Sequence, residues 1–292
     1  MRVLLVGAGG LLGTAVRHSV PHGVDLVSPP RLELDITDRQ AVAVTVERLR
    51  PDYVINCAGY TAVDQAEREP DLAHRLNAEG ATHLAAATER ARGTMVQLST
   101  DYVFDGTREI PYREEDEPGP LSVYGRTKLA GEQAVREILP DRHLIVRAQW
   151  LFGAGGKNFV DTILRLASGQ STLRVVNDQR GRPTYAGDLA TAIWKLVGRG
   201  IRGTVHVAND GTATWFDVAA VALAAAALQT RLEPCRTADT PRPAQRPAFS
   251  VLDSSRYESL TGERLPRWET AVRAYVNSRP SGSRVASTTD RG

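Results

Sequence analysis

The sequence predicts an α/β fold: a Rossmann-type, doubly wound parallel sheet with a smaller, discontinuous C-terminal α/β substrate domain. Two observations support this prediction. Short apolar runs, of which residues 3–6 are the first, alternate with helical stretches along the chain, a pattern typical of parallel sheets with crossover helices. The first run ends in a glycine-rich turn, Gly7-Ala-Gly-Gly10-Leu-Leu-Gly13, and a helical pattern follows it.

The composition is that of a globular chain with a sizeable core. The sequence has 292 residues, of which 42% are hydrophobic and 24% charged, and its net charge is +2. Because the charge is nearly balanced, we expect neither a nucleic acid nor a membrane surface as a partner. The first apolar run is too short to span a bilayer and lacks the pattern of a signal peptide, so we expect a cytoplasmic protein.

The cysteines and histidines do not indicate crosslinks or a metal site. Cys57 and Cys235 are too few for a disulfide framework. No group of His and Cys has the spacing of metal ligands, so the sequence predicts no metal. Residues 279–292 are rich in Pro, Ser, Thr, Gly and charge, which predicts a disordered tail.

The glycine turn after the first strand predicts a phosphate-binding loop. The strict G-x-G-x-x-G spacing fails because Leu12 stands where the third glycine would be, and the spacing that fits is Gly7-x-x-Gly10-x-x-Gly13. Glycines let the backbone approach a pyrophosphate, and the N-terminus of the following helix directs N–H groups at it. Tight turns also use glycine, but the position directly after an N-terminal strand favours a dinucleotide site.

The segment after the second predicted strand, residues 24–27, favours NADPH as the cofactor. An NAD-binding unit usually has an acid near the end of this strand for the ribose 2′-hydroxyl. Here Ser28 follows the strand and Arg31 comes soon after, and an arginine is suited to a 2′-phosphate. The alternatives are NADH and an arginine that only faces solvent. We expect Asp35 to reach the adenine end of the cofactor.

Two later strands end in residues that are suited to line a ligand site. One ends in Ala58 and Gly59, whose small size lets a flat cofactor lie against the backbone. The next ends in Thr100 and Asp101, at the edge where ligands bind in open α/β sheets. The Thr100 hydroxyl is suited to hydrogen-bond a substrate oxygen, unless it only caps a turn.

Tyr124 and Lys128 give the strongest indication of catalysis. They are four residues apart, so in a helix both side chains rise from one face, one turn apart. A cation beside a phenol lowers the pKa of the phenol, which suits a general acid that protonates a developing alkoxide. Lys128 is one of only three lysines among 36 basic residues, so the pairing is less easily explained as chance on a surface helix.

The C-terminal part continues the alternation of strands and helices. We expect strands at 143–147, 172–176 and 203–207 and helices at 158–167, 188–197 and 218–228. Thr214 and Asp217 form an approximate capping box before the last of these helices. The proline-rich basic loop 240–250 is suited to an anionic ligand, although a plain linker has a similar composition.

Five longer motifs narrow the prediction. They are Ser-Thr-Asp-Tyr-Val-Phe (99–104), Tyr-Gly-Arg-Thr-Lys-Leu-Ala-Gly-Glu (124–132), Gly-Lys-Asn-Phe-Val (156–160), Asn-Asp-Gln-Arg-Gly-Arg-Pro-Thr-Tyr (177–185) and Arg-Pro-Ala-Phe-Ser-Val-Leu-Asp (246–253). With the glycine turn, they resemble the dTDP-4-dehydrorhamnose reductase family of the extended short-chain dehydrogenase/reductase superfamily, from Arg2 to about Val276. The resemblance implies hydride transfer from NAD(P)H to C4 of a dTDP-linked 4-keto-6-deoxyhexose, in a monomer or homodimer.

The resemblance also implies roles for individual residues. Tyr124 would protonate the alkoxide, Lys128 would bind the nicotinamide ribose and lower the pKa of Tyr124, and Thr100 would orient the keto oxygen. The residues implied for the pyrophosphate are Gly7, Gly10, Leu11, Leu12 and Gly13, and those for the rest of the cofactor are Arg31, Asp35, Ile36, Ala58, Gly59 and Thr61. The residues implied for the sugar nucleotide are Asp101, Trp150, Asn158 and Arg246.

One motif departs from the family pattern, so the identity of the sugar in the substrate stays undetermined. Arg147-Ala-Gln-Trp150 stands where the family usually has Arg-Thr-Ser-Trp, so two hydroxyls near the sugar are missing. A nucleotide-sugar epimerase or dehydratase of the same superfamily stays an alternative, although dehydratases place a Glu beside the catalytic hydroxyl and this chain has Asp101-Tyr102. A second alternative is a non-catalytic subunit resembling the regulatory subunit of methionine adenosyltransferase.

The same patterns divide the chain into two units. We expect residues 1–150 with about 184–228 to form the NAD(P)-binding unit. About 151–183 with 229–278 are expected to form the sugar-nucleotide-binding unit.

Overall fold

The structure is a computed structural model that describes residues 1–279, so the predicted tail, apart from Arg279, lies outside it. The strands are β1 (Arg2–Val6), β2 (Asp25–Val27), β3 (Tyr53–Asn56), β4 (Thr94–Thr100), β5 (His143–Ala148), β6 (Leu151–Phe152), β7 (Thr172–Val176), β8 (Arg180–Gly181), β9 (Thr184–Tyr185), β10 (Gly203–His206), β11 (Ala213–Thr214) and β12 (Arg231–Cys235). The helices are α1 (Leu11–His18), α2 (Arg39–Leu49), α3 (Val63–Ala66), α4 (Pro70–His74), α5 (Gly80–Arg90), α6 (Val123–Ile138), α7 (Phe159–Ala167), α8 (Ala186–Gly198), α9 (Trp215–Ala225), α10 (Ser255–Thr261) and α11 (Trp268–Ser278). A π-helical turn at Arg75–Glu79 and 3₁₀ turns at Asp101–Val103 and Thr237–Asp239 complete the elements.

Six strands form one parallel sheet in the order β10-β5-β4-β3-β1-β2. The chain adds β2 on one side of β1 and then β3, β4, β5 and β10 on the other. This change of direction is the mark of a doubly wound sheet, and ligands bind at the carboxyl ends of the strands beside the switch point. The predicted fold class is confirmed.

Helices cover both faces of this sheet with apolar side chains. On one face α1 and α8 pack on the strands through Val16, Leu189 and Trp194, and the indole N–H of Trp194 donates to the Val16 carbonyl at 3.0 Å. On the other face α2, α5 and α6 supply residues such as Leu84 and Val135. Each such buried side chain stabilises the fold by roughly 1.5–3 kcal/mol, which fixes the strand ends that carry the site.

A second core lies between α7, α9, α11 and the parallel β7–β12 pair. Val160, Val218 and Val272 are three of its buried residues. Two helices are placed differently from the sequence-based division. Helix α9, expected with the NAD(P)-binding unit, packs in this second core, whereas α10, expected with the other unit, packs on the first core through Tyr257. We propose that α9 belongs to the sugar-nucleotide-binding unit and α10 to the NAD(P)-binding unit.

The boundaries of α9 correct the prediction of a helix over 218–228. Thr214 and Asp217 form a full capping box, with the Asp217 N–H donating to Thr214 Oγ1 at 3.1 Å and Thr214 N–H donating to Asp217 Oδ2 at 2.8 Å. Because Thr214 is the capping residue, the helix begins at the next residue, Trp215. In residues 1–279 no helix combines the length and the apolar character needed to cross a membrane.

Candidate active site

The glycine turn between β1 and α1 presents backbone N–H groups at the switch point. Gly10 caps α1, and its own N–H donates to Gly7 O at 3.1 Å. The first helical bond is from Thr14 N–H to Gly10 O at 2.8 Å, so the three residues before Thr14 keep N–H groups without a helical partner. The side chain of Leu12 is buried in the core, which leaves only its backbone for a ligand.

Two of the glycines are required because the backbone is crowded. A Cβ on Gly13 would lie 2.1 Å from Gly7 O, and a Cβ on Gly7 would lie 2.4 Å from Ala58 N. Gly7 also has a φ of 76°, which favours glycine. A Cβ on Gly9, in contrast, would meet nothing within 4 Å. The turn is therefore a tight cradle, packed against the end of β3, of the form that admits a pyrophosphate.

The loop after β3 is held next to α6 by the buried side chain of Asn77. Its Oδ1 accepts the Tyr60 N–H at 2.8 Å, and its Nδ2 donates to Tyr60 O at 3.1 Å and to Thr127 Oγ1 at 3.0 Å. A Cβ on Gly59 would lie 2.9 Å from Asn77 Oδ1 and 3.9 Å from Lys128 Nζ. Gly59 therefore connects the glycine turn to the Tyr-Lys helix, and Thr61 is exposed two residues farther on.

The glycine turn and the ends of β1 and β3 form a crevice. Arg31 and Asp35 lie at its rim, in the loop after β2. The exposed Arg31 guanidinium is 3.5 Å from the Asp35 carboxylate. Thr37 donates to Asp35 from its N–H at 2.9 Å and from its hydroxyl at 2.8 Å, and these bonds, aided by Arg31, lower the pKa of Asp35. The side chain of Ile36 is buried beneath Gly80, so only its backbone is available to a cofactor.

Helix α6 carries Tyr124 and Lys128 on one face, as predicted. Ser122 caps the helix by accepting the Gly125 N–H at 3.1 Å. The buried Lys128 ammonium donates to Leu98 O at 2.5 Å, and burial lowers the pKa of Lys128 to about 8.

The expected effect of Lys128 on Tyr124 is wrong. Loss of surrounding water raises the pKa of Tyr124 to about 12, a hydrogen bond from Thr100 opposes the rise, and the charge of Asp101 adds to it. The lysine ammonium is directed at the carbonyl of β4 rather than at the phenol. Burial and the neighbouring carboxyl, and not the i,i+4 cation, therefore decide how tightly this phenol holds its proton.

The carboxyl end of β4 places a hydroxyl and a carboxyl beside Tyr124. The Thr100 hydroxyl accepts the Tyr102 N–H at 3.2 Å and donates to Asp101 Oδ1 at 3.0 Å. Asp101 is 1% exposed, and its Oδ2 accepts the Ser250 hydroxyl at 2.5 Å. Burial raises the pKa of Asp101 to about 7. Asp101 is therefore enclosed by the C-terminal loop, and its expected place in the lining of the sugar pocket stays a prediction.

A cavity of about 760 Å³ lies on the far side of Tyr102, between the second core and the loop that follows β12. Tyr102, Phe159, Gln179, Trp215 and Arg246 are among the residues that line it. The ring of Tyr102 meets the ring of Tyr124 edge to face, with centroids 5.6 Å apart, so the cavity adjoins the Tyr-Lys helix. Arg246 was expected here, whereas the aromatic residues were missed. Tyr102 and Phe159 do belong to the motifs at 99–104 and 156–160, and Phe159 and Trp215 each begin a helix directly after a capping residue.

Arg246 is held at the cavity wall by the carboxylate of Asp64, in the short helix α3. Its Nη1 and Nη2 donate to Asp64 Oδ1 and Oδ2, both at 2.9 Å, and Asp64 and Tyr102 together raise the pKa of the guanidinium. Arg242, four residues earlier, reaches the same carboxylate at 3.4 Å. A fixed, partly exposed guanidinium is suited to bind a phosphate.

Trp150 and Asn158, expected at the sugar nucleotide, make contacts within the protein, and their roles toward the substrate stay predictions. Trp150 stacks on Trp215 with ring centroids 3.7 Å apart, and Trp215 is the partner that lines the cavity. Asn158 caps α7 by accepting the Asp161 N–H at 3.0 Å, and its amide donates to Gly153 O at 3.0 Å. Trp150 therefore supports the wall from behind, and Asn158 shapes the turn before α7.

Glu132, one turn after Lys128, anchors α6 to the sheet. The fully buried Arg147 of β5 donates to both carboxylate oxygens of Glu132, at 2.9 and 2.7 Å. Burial of His206, and to a smaller extent the charge of Arg147, lowers the pKa of His206 to about 3. Removing one partner of such a pair would leave an uncompensated buried charge, so this network fixes the helix that carries Tyr124 and Lys128.

No cluster of three or more His, Cys, Asp or Glu side chains within residues 1–279 is arranged to hold a metal ion.

Known proteins resemble this chain along nearly its whole length. A family model described as the RmlD substrate binding domain matches residues 1–280. The dTDP-4-dehydrorhamnose reductase of Streptomyces griseus is 44% identical over 278 residues, covering 93% of this chain and 91% of the relative. A probable dTDP-4,6-dihydroxy-2-methyloxan-3-one 4-ketoreductase of Streptomyces antibioticus is 42% identical over 278 residues and covers 94% of each chain.

A solved structure gives the same result for the fold. The dTDP-4-dehydrorhamnose reductase of Bacillus anthracis in complex with NADP is 38% identical, with a TM-score of 0.92, and the match covers 95% of this chain and 99% of the other. The strand order, the glycine turn, the Tyr-Lys helix and these matches lead to one conclusion. The chain belongs to the dTDP-4-dehydrorhamnose reductase family.

Proposed function

We propose that this protein is an NADPH-dependent ketoreductase that reduces the C4 ketone of a dTDP-linked 4-keto-6-deoxyhexose. The observation that carries the proposal is the convergence of Tyr124 and Thr100 between the glycine cradle and the cavity with Arg246. The S. griseus and S. antibioticus relatives are named for this class of reaction, and the B. anthracis relative holds NADP.

The crevice beside β1 would hold the dinucleotide. The free N–H groups at the start of α1, those of Leu11, Leu12 and Gly13, would bind the pyrophosphate, because the two crowded glycines leave room for it. Arg31 would meet the 2′-phosphate at the exposed rim. Lys128 would bind the nicotinamide ribose with the donors left after its bond to Leu98 O. Its Nζ lies 3.9 Å from where a Cβ on Gly59 would be. Bound NADPH would supply the hydride to C4 of the sugar.

Tyr124 would donate the proton to the C4 oxygen. Its high pKa keeps the phenol protonated at neutral pH, so it can act as a general acid but requires an alkoxide to take the proton. Thr100 is close enough to the same phenol to counter the rise of its pKa, and its hydroxyl would orient the keto oxygen beside it.

The cavity would hold the dTDP part of the substrate. Arg246 would bind the diphosphate, since it lines the cavity and its hydrogen bonds to Asp64 and to Ala244 O use only three of its five N–H donors. Tyr102, Phe159 and Trp215 offer aromatic surface for the thymine ring, and Trp150 would stabilise Trp215 by stacking on it.

At least two keto-hexoses fit the proposed function as substrates, and dTDP-4-dehydro-L-rhamnose is our first candidate. The two relatives above are named for different sugars at nearly equal identity. The positions that depart from the family motif, Ala148 and Gln149, are buried, and Gln149 Oε1 accepts the Arg182 N–H at 2.9 Å. Gln149 therefore shapes the loop around Arg182, and any effect of this motif on sugar choice would be exerted through that loop.

The test is oxidation of NADPH by purified protein with dTDP-4-dehydro-L-rhamnose, followed by identification of the product by NMR. We expect NADPH-dependent formation of dTDP-L-rhamnose, and Tyr124→Phe is the matched control. NADPH binding without oxidation would redirect the proposal to another dTDP-keto sugar. Failure to bind either NADPH or NADH would contradict it and favour a non-catalytic function. A monomeric or homodimeric state and a cytoplasmic location stay predictions.

A further inference from the structure

A short segment after β3 contacts both the sugar-side loop and the helix with Tyr124. It consists of α3 (Val63–Ala66) and Glu67, and we call it the bridging segment. It directly follows the loop 58–61, which we place at the cofactor, and Ala66, 0% exposed, packs it against the protein. Its two carboxylates, Asp64 and Glu67, are three residues apart and bind different parts of the site.

Asp64 anchors the loop that carries Arg246. Its Oδ1 accepts from Arg246 Nη1 at 2.9 Å and from the Ala244 N–H at 3.3 Å. Its Oδ2 accepts from Arg246 Nη2 at 2.9 Å and from Arg242 Nη1 at 3.4 Å. One carboxylate therefore holds the guanidinium, the backbone and a second arginine of a loop whose Arg246 is 182 residues away in the chain.

The anchor orients Arg246 without cancelling the positive charge of the loop. Arg242 and Arg246 outnumber the single carboxylate that they share, so the group stays attractive to a diphosphate. Loss of Asp64 would remove a repulsion from the substrate, but the Asp64 side chain is 32% exposed and solvent screening weakens this repulsion. The Arg246 side chain is only 15% exposed, so its charged hydrogen bonds matter more. We therefore expect the orienting effect to exceed the charge effect.

Glu67 holds the opposite side of the site, at the start of α6. Its Oε1 accepts the Val123 N–H at 2.7 Å, and Val123 is the first residue of α6 and directly precedes Tyr124. The first N–H groups of a helix have no partner within the helix, and a carboxylate is a favourable acceptor at this positive end. Ser122 satisfies a different one, the Gly125 N–H. Glu67 thus fixes the turn that carries Tyr124.

We propose that the bridging segment sets the separation between the diphosphate of the substrate and the proton donor, with Asp64 positioning Arg246 and Glu67 positioning Tyr124. Both act through their partners and need no contact with the substrate. The proposal rests on the proposed ketoreductase function. Because C4 and the diphosphate belong to one ligand, Tyr124 reaches the C4 oxygen only when the two anchors are correctly spaced.

The test of Asp64 measures the Kd for dTDP by isothermal titration calorimetry, which requires no turnover. Asp64→Ala should raise this Kd and the KM for the dTDP sugar about tenfold, the size expected for one charged hydrogen bond, and change kcat less than about threefold. Asp64→Asn keeps one acceptor oxygen for the guanidinium and should have an intermediate effect. Asp71→Asn, which removes an exposed carboxylate from α4, is the control and should change neither quantity.

A double-mutant cycle distinguishes positioning from a general structural effect. In the Arg246→Ala background, Asp64→Ala should not raise the Kd for dTDP further, because the carboxylate then has no guanidinium to orient. Additive effects of the two substitutions, or an unchanged or lowered Kd in Asp64→Ala alone, would overturn the role of Asp64.

The test of Glu67 should give the reverse pattern. Glu67→Ala should lower kcat about tenfold, because a displaced proton donor slows the reaction, and leave the Kd for dTDP unchanged. Glu67→Gln should restore kcat, since its amide oxygen can accept the same Val123 N–H. Amide hydrogen exchange gives a readout without turnover: the start of α6 should exchange faster in Glu67→Ala, but not in Glu67→Gln or Asp64→Ala.

The outcomes separate the positioning roles from the proposed function. Unchanged kcat and exchange in Glu67→Ala, or equal impairment in Glu67→Gln, would overturn the role of Glu67. A wild type that binds dTDP and NADPH but reduces no dTDP-keto sugar would overturn the proposed function, and the Kd and exchange measurements would still decide the two positioning roles.

Discussion

The cofactor crevice and the sugar-side cavity are built in opposite ways. The crevice is made largely of backbone from short, nearly continuous segments, with Gly7, Gly10 and Gly13 in one turn and the end of β3 packed on it. The cavity is made of side chains from four separated segments, represented by Tyr102, Phe159, Trp215 and Arg246.

The difference shows which kind of site can be found by local reasoning. A backbone cradle needs glycine at fixed positions, because a Cβ on Gly7 or Gly13 would collide with a neighbouring peptide group. A side-chain cavity needs only some aromatic and basic residues from segments that the fold brings together. We therefore expect even small substitutions in the crevice to impair cofactor binding strongly, and substitutions in the cavity to weaken substrate binding by graded amounts.

The largest effect is expected where the two regions meet. Tyr124→Phe should lower kcat by about 10²- to 10⁴-fold, because only the proton donor is lost, while the Kd for NADPH stays unchanged. Tyr102→Phe is the matched control, since its ring packs on the Tyr124 ring but lines the cavity. Steady-state kinetics should show mainly a raised KM for Tyr102→Phe. Equal losses of kcat in both variants would contradict the assignment of Tyr124 as the acid.

The crevice should show the next largest effect. Gly13→Ala should weaken NADPH binding at least about tenfold and lower the free energy of unfolding by about 1–3 kcal/mol, because the added Cβ would lie 2.1 Å from Gly7 O. Gly9→Ala, with no atom within 4 Å of its Cβ, should change neither quantity. Fluorescence titration with NADPH and chemical denaturation measure the two effects. Similar behaviour of both variants would remove the distinction between the glycines.

The cavity should respond more weakly and through the substrate alone. Arg246→Ala should raise the KM for the dTDP sugar about 10- to 100-fold, the range for one charged hydrogen bond, and leave the Kd for NADPH unchanged. Arg242→Ala removes the more exposed arginine that also reaches Asp64 and should change KM far less. A reversed order of the two variants would place the diphosphate at Arg242.

The smallest effect is expected at the exposed rim of the crevice. Arg31→Ala should raise the Kd for NADPH about two- to fivefold, because an exposed ion pair contributes only about 0.2–1 kcal/mol, and should not alter the Kd for NADH. Arg39→Ala, on the exposed start of α2, is the control. A change of equal size for both cofactors would show that Arg31 does not bind the 2′-phosphate.

The features that follow from local rules were predictable. The alternation of strands and helices predicted the doubly wound fold, and the glycine spacing predicted a cofactor crevice. The i,i+4 spacing predicted that Tyr124 and Lys128 share one helical face. Asn158 and Trp150 show the limit of this reasoning. Asn158 belongs to a motif that resembles the family's and Trp150 to the motif that departs from it, but the partners that decide their positions, Gly153 and Trp215, are set by loop and second-core packing.

The sequence by itself determined the fold class, the cofactor cradle and the candidate acid, because each follows from residue patterns that are local in the chain. Tertiary structure alone decided the protonation properties of the site. Whether Tyr124 holds its proton depends on burial and on Asp101, and Asp101 in turn depends on Ser250, which is 149 residues away in the chain. A pKa reflects the dielectric and charges of the surrounding space, and those are fixed only when distant segments pack together.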